Sequence, residues 1–248
     1  MKKTILAAIL TVLSAAHAFA FDMSAMTDAE RQTFRDEIRA YLLDNPEVLI
    51  EAITVLEQRQ AQLGAMSDQE LVRTNAQEIF DDGYSWVGGN PDGDITIVEF
   101  LDYRCSFCRK AHPEVMQLLE LDGNIRFVVK EFPILGEQSV LASKFAVSVL
   151  MNSGPEAYAA VLDELMTFRG DIADSSLRRI ASELDLKVGP IMKGMDHPAI
   201  EGMIASNRQL AQILQITGTP GFVIGDQIVR GYAPLADMQT LVHALRSQ

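Results

Sequence analysis

Cys105 and Cys108 are the only thiols in the 248-residue chain, and they stand with two residues between them in VEFLDYRCSFCRKAHPEV, residues 98 to 115. Three chemistries use such a pair. As a structural staple it is poorly placed, because a disulfide stabilises more as its loop grows, and this loop is nearly the shortest possible. As half of a structural zinc site it lacks partners, since a closed site needs four ligands and the remaining mature histidines, His112, His197 and His243, have no ligand spacing. His112 reads as a surface residue, and no metal site is expected. Two soft thiolates remain able to hold Cu(I), so copper delivery stays open as a reading from another class. Redox exchange explains more of the surroundings. Cys105 falls where an apolar run gives way to a helical pattern, so unpaired N–H groups and the helix dipole favour its thiolate. Arg104, Arg109 and Lys110 add positive charge to an otherwise acidic chain. In this reading Cys105 is the exposed attacking sulfur, and Cys108, one turn in and shielded, resolves the mixed disulfide. Besides that redox-active pair, no cofactor is expected.

Such a pair needs a rigid strand before it and a helix after it. ITIVEFL, residues 95 to 101, is a short run of branched and aromatic residues that suits a buried strand, and helical spacing follows from about 106 to 121. After the Gly123-Asn124 turn, IRFVVKEF reads as a second buried strand, completing a parallel strand, helix and strand unit. From about 136 to 214 the spacing is helical, with segments at QSVLASKFAVSVLM, PEAYAAVLDELMTF, SSLRRIASELDL and AIEGMIASNRQLAQIL. Strands return in GFVIGDQIVRG, a hairpin turning at Gly225-Asp226, and a helix over about 234–246 closes the chain.

The N-terminal third is of another kind. Residues 1–20, MKKTILAAILTVLSAAHAFA, have two lysines, an apolar core and an Ala-Phe-Ala ending, which is the form of a secretory signal peptide with the mature start at Phe21. A periplasmic location, where disulfides persist, is expected. Removing Lys2 and Lys3 takes the formal charge from −13 to −15, which argues against nucleic acid or anionic lipid as partner. Thr27 and Glu30 have capping-box spacing ahead of a helix over about 28–44 that carries Phe34, Ile38, Tyr41 and Leu42 on one face. Asn45 as cap and Pro46 open a second amphipathic helix with Leu49, Ile53, Leu56 and Leu63, which continues towards Phe80 if Gly64 does not break it. Two short helices cannot bury such stripes alone. Either the stripes pack on the body of the protein or they form the seam of a homo-oligomer. DDGYSWVGGNPDGD, residues 81 to 94, reads as a linker into the next domain.

These residues resemble the DsbA family of the thioredoxin superfamily. The carriers are the Cys-Ser-Phe-Cys motif with a basic residue after it and Pro113 five positions beyond the second cysteine, together with TGTPGFVIG, residues 217 to 225. The resemblance covers about residues 84–248 and implies an α/β thioredoxin fold with an inserted helical domain. It implies a thiol:disulfide oxidoreductase or isomerase acting on unfolded or misfolded exported proteins and reset by a membrane redox partner. Ser106, Phe107 and Pro113 would belong to the active-site helix. Pro220 would follow a cis bond and Thr219 would present backbone groups to a substrate strand. Glu99, six residues before Cys105, occupies the superfamily's buried-acid position. A lone carboxylate in such a strand is costly without a task, so Glu99 is expected to shuttle a proton for Cys108 unless it faces outward. Residues 27–80 resemble, through YLLDNPEVLIEAI, the N-terminal helical segment of ScsC-type proteins, whose members can oligomerise and act as isomerases. The domains expected are therefore the signal peptide at 1–20, a helical segment at 21–82 and a thioredoxin domain at 83–248. The Ser106-Phe107 dipeptide departs from the Pro-His of the strongly oxidising member. Potentials across such proteins span about −270 to −120 mV, and the chain's place on that scale stays open, as does oxidase against isomerase.

Overall fold

The computed structural model describes residues 26–247, so the expected signal peptide and mature start lie outside the described residues. Contacts divide the chain into a unit ending at Arg59 and a second unit, Gln60–Gln248.

In the first unit, helix α1 spans Asp28–Asp44, and its capping box forms as expected, with Thr27 accepting from the Glu30 N–H and donating to its carboxylate. Helix α2, Glu47–Thr74, starts in this unit and runs unbroken through Gly64 into the second. Asn45 joins the two helices: its backbone and side-chain N–H groups both donate to the Tyr41 carbonyl at the end of α1, and its own carbonyl accepts from the Val48 N–H at the start of α2. No residue from 26 to 59 is buried.

The second unit is a five-stranded sheet in the order β1-β3-β2-β4-β5, where β1 is Trp86–Gly89, β2 Ile95–Leu101, β3 Ile125–Glu131, β4 Gly221–Ile224 and β5 Gln227–Arg230. The central β2 runs parallel to β3 and antiparallel to β4. Side chains alternate across a strand, so Ile97, Glu99 and Leu101 face one side while Val98 and Phe100 face the other. Both sides are covered, which is why β2 reads as a continuous apolar run. On the first side lie helix α4, Ser106–Asp122, with α5, Glu137–Ser153, and α6, Pro155–Thr167. On the second, Val98, Phe100, Val128 and Val223 meet Val72 at the end of α2, Ile79 of the short α3 (Ala76–Phe80), and Leu210 and Leu214 at the end of α9 (Pro198–Ile213). Helices α7, Asp174–Glu183, and α8, Val188–Gly194, complete the insertion, and α10, Leu235–Arg246, closes the chain.

Two expectations need correction. The segment read as a linker contains β1, which pairs antiparallel with β3 and is visible only through that pairing. Its glycines suggested a break, yet a Cβ at Gly88 would come within 2.1 Å of the Trp86 ring. The missing side chain lets that ring lie against the strand, stacked on Tyr158 and edge-on to Phe127. Helix α8 escaped detection because it is seven residues long and holds Gly189 and Pro190, which read as breakers.

Candidate redox site at the start of helix α4

The turn between β2 and α4 is built by Asp102. Its buried carboxylate accepts the backbone N–H of Arg104 at 2.8 Å and those of Ile134 and Leu135 at 2.8 and 3.0 Å, while its carbonyl accepts from the Cys105 N–H at 3.0 Å. One side chain thus ties the end of β2 to the loop after β3. Below it, Glu131 of β3 accepts from the Tyr103 and Tyr158 hydroxyls at 2.8 and 2.5 Å. The Tyr103 carbonyl in turn accepts from Arg109 Nε at 2.7 Å. Glu131 is pushed up to about 7, first by burial.

Cys105 caps α4 at its N-terminus, and Cys108 follows inside the first turn. Both are free thiols. Cys105 was expected to be exposed, but only 7 % of its surface is accessible, against none for Cys108, because the loop before β4 closes over it. Its thiol donates to the Thr219 carbonyl at 3.0 Å. Thr219–Pro220 is a cis peptide bond, with Pro220 buried and Thr219 half-buried. The two sulfurs are electrostatically unlike. The Cys108 thiol donates to Cys105, the Thr219 side chain and the N–H groups of Cys108 and Phe107 assist, and together they hold Cys105 down at about 5 against the opposing cost of burial. Burial first, then its role as donor to Cys105 and the charge on Glu99, push Cys108 far up.

Glu99 does not face outward. It is buried on the same side of β2 as the cysteines, neither of its carboxylate oxygens has a hydrogen-bond partner, and burial followed by the charge on Cys105 pushes it up to about 8. An unpartnered acid beneath a dithiol can hold a proton or release one close to neutral pH.

The remaining expected residues separate. Ser106 is exposed at the first turn of α4, and Phe107 is 56 % exposed with its ring centroid 6.3 Å from that of Tyr232. Pro113 lies inside α4, where it removes the N–H that would donate to the Arg109 carbonyl. His112, read as a surface residue, is buried, with Nε2 2.7 Å from Asp163 on α6. That contact ties it to the insertion.

Sequence reasoning missed three participants. Asp102 carried a weak signal, a carboxylate at the end of an apolar strand. Arg169, in the loop after α6, joins Arg104, Ser106, Arg109 and Lys110 around a cleft of about 390 Å³. Tyr232 lies under the Lys110 ammonium, 4.0 Å from ring centre to nitrogen, and donates to Glu114 of α4 at 2.6 Å. Neither Arg169 nor Tyr232 has any local sign of its destination.

Comparison with known proteins agrees with this fold. The family profile described as Thioredoxin matches residues 81–244, and the one described as Copper resistance protein ScsC N-terminal domain matches residues 30–62. Among solved structures, a thioredoxin-like oxidoreductase from Silicibacter pomeroyi DSS-3 is 37% identical, with 69% of this chain and 98% of that one covered at a TM-score of 0.66. The thiol-disulfide exchange protein alpha-DsbA2 from Wolbachia pipientis is 28% identical, with coverages of 74% and 98% and a TM-score of 0.69. ScsC of Proteus mirabilis in a transitional conformation is 25% identical over 90% of this chain and 98% of that one, with a TM-score of 0.66. Among curated relatives, the match to Na(+)/H(+) antiporter NhaA 3 of Salinispora tropica is 26% identical over 138 residues, 56% of this chain. There the chain spans only 21% of the relative's length. Among the described residues no helix is long and apolar enough to cross a membrane.

Proposed function

The chain belongs to the thioredoxin family, and from that premise we propose that it exchanges thiols for disulfides in exported proteins through Cys105 and Cys108. The observation that carries this reading is the asymmetry of the pair. Cys105 stands at the α4 N-terminus against the cis Thr219–Pro220 loop and is held down at about 5, while Cys108 is fully buried near an unpartnered acid and pushed far up.

In the reducing direction the Cys105 thiolate attacks one sulfur of a substrate disulfide. The substrate S–S bond breaks, the mixed disulfide forms, and the other substrate sulfur leaves as a thiolate. With the Cys105 charge that helps raise Glu99 consumed in the mixed disulfide, Glu99 in its ionised form takes the Cys108 proton, and Cys108 attacks Cys105 Sγ, closing the Cys105–Cys108 bond and releasing the second substrate thiolate. Two electrons pass from the dithiol to the substrate, and running the steps backwards oxidises a substrate dithiol. Thr219 and Pro220 position the incoming strand, whose backbone meets the Thr219 carbonyl once the Cys105 proton is gone. Phe107 and Tyr232 offer it an apolar rim.

The N-terminal helices favour isomerase or reductase over simple oxidase. Phe34, Ile38, Tyr41, Leu43, Leu49, Ile50, Ile53 and Leu56 are all exposed, and a helical face this apolar is stable in water when a second copy covers it. A homo-oligomer would hold a misfolded substrate between several dithiols. The periplasm suits the reading, with an oxidised or reduced membrane partner resetting the pair.

The deciding experiment is reactivation of scrambled ribonuclease by the mature protein, with Cys105→Ala as control. Reactivation that disappears in the variant is expected. Rapid oxidation of reduced ribonuclease without any unscrambling would replace isomerase by oxidase, and stoichiometric retention of Cu(I) without exchange would replace both by copper delivery.

A further inference from the structure

We infer that the cleft between the start of α4 and the loop after α6 binds carboxylates flanking the reactive cysteine of a polypeptide substrate, and so selects acidic segments for exchange at Cys105. This rests on the exchange reading above and names the substrate class for that same site.

Arg104, Arg109, Lys110 and Arg169 converge on the cleft with Ser106, and no acidic residue lines it. In a chain of formal charge −13 this concentration of cations is a local reversal of sign. The arrangement is also internally unfavourable. One terminal nitrogen of Arg109 is buried without a hydrogen-bond partner, although its Nε is anchored on the Tyr103 carbonyl. Burial, then the charges of Arg104 and Arg169, hold the Arg109 guanidinium below its usual range, opposed by Asp102 and Cys105. Asp102 acts on the cluster through its charge alone, because its carboxylate hydrogen-bonds three backbone N–H groups and none of the guanidiniums. The Arg104 guanidinium spends one N–H on the Gly170 carbonyl at 3.0 Å, which fixes the loop carrying Arg169 against the cysteine turn. Three guanidiniums and an ammonium gathered around one cleft with no acid form a site that a carboxylate completes, through charge-assisted and bidentate hydrogen bonds.

Position identifies the occupant. Ser106, adjacent to Cys105, lines the cleft, while Thr219 and Pro220 do not. A chain laid on the Thr219 loop with its sulfur at Cys105 therefore reaches the cleft with neighbouring side chains and not with its own backbone. The net negative charge of the protein disfavours an extended polyanion such as nucleic acid.

Three synthetic peptides test this, each with a single cysteine oxidised to the symmetrical dimer and flanked by Glu, Gln or Lys. Reduced full-length protein is mixed with each, and loss of Cys105 thiolate absorbance gives the rate constant. At low salt the Glu dimer should react about tenfold faster than the Lys dimer, a ratio that shrinks as salt screens the cleft. Thiol acidity alone gives the opposite order, because Lys makes its neighbouring thiol the better leaving group. Arg169→Gln should lower the Glu-to-Lys ratio several-fold. An unchanged ratio in that variant overturns the inference. So does an equal slowing of all three peptides with a raised Cys105 pKa, which would make the cluster a device for thiolate tuning only. Selective speed with glutathione disulfide and no ranking among the peptides would assign the cleft to a small thiol and overturn it too. Failure of every dimer to react overturns the exchange reading and this inference with it.

Discussion

At the scale of the residue, Glu99 and Cys105 pull stability in opposite directions with pH. Cys105 is held at about 5, below the about 8.5 of an unfolded thiol, so it stabilises the reduced fold above the unfolded value, and that contribution is lost as pH falls towards 5. Glu99 is raised to about 8 from an unfolded value near 4.3, so the native state binds the extra proton between those limits. Its contribution is intact below about 4.3 and is lost as pH rises through 8. In the oxidised protein the thiolate is absent and with it the smaller part of the push on Glu99, so the burial effect on Glu99 remains beside that on Glu131. Glu99→Gln should therefore make oxidised protein more stable at neutral pH and flatten its pH profile in urea unfolding, while slowing the second, Cys108-dependent step of exchange. An unaltered exchange rate would remove Glu99 from proton transfer. That Glu99 is buried was half legible: a carboxylate in an apolar run signals cost, but only the alternation of β2 and its position over α4 place it beneath the thiols.

At the scale of the element, the reactive geometry belongs to the junction of β2 and α4 and not to the cysteines alone. Asp102 makes that junction rigid by satisfying three backbone donors from two separate segments. Asp102→Ala would leave buried N–H groups unpaired at about 1–3 kcal/mol each, so a loss of several kcal/mol is expected in denaturant midpoint, together with a raised Cys105 pKa as the turn loosens. An unperturbed midpoint would show that water or relaxation replaces the carboxylate. Strand β2, helix α4, strand β3 and the terminal hairpin were legible because each carries its own period and its own turn. Strand β1 and helix α8 were not, since one exists through pairing with β3 and the other is too short to show a period.

At the scale of the whole molecule, the structure changes where the chain should be cut to test assembly. A truncation at Asp82 removes Val72 and Ile79, which are buried against Val98 and Phe100 on the second face of the sheet. Each such side chain contributes about 1.5–3 kcal/mol, so that truncation should be unstable for reasons unrelated to assembly. It would also delete Asp68, whose carboxylate takes two hydrogen bonds from Arg230 at 2.8 Å. A truncation beginning at Gln60 keeps these contacts and removes only residues among which no described side chain is buried. Solution mass should fall from an oligomer for the mature protein to a monomer for this truncation, with reactivation of scrambled ribonuclease lost and exchange with small disulfides kept. A monomeric mature protein would remove the basis for isomerase over oxidase.

The sequence by itself determined the redox pair, the strand and helix that flank it, the helical insertion and the amphipathic character of the N-terminal helices. All of these are local: spacing, period and cap residues act within a few turns of the chain. Tertiary structure alone decided that Arg169 joins Arg104 and Arg109, that Tyr232 lies against Lys110, that His112 is buried against Asp163, and that the end of α2 belongs to the sheet. Each of these joins segments distant in sequence. Nothing in the residues near Arg169 or Tyr232 encodes the partner, because the attraction exists only once the sheet and the insertion have brought the two together.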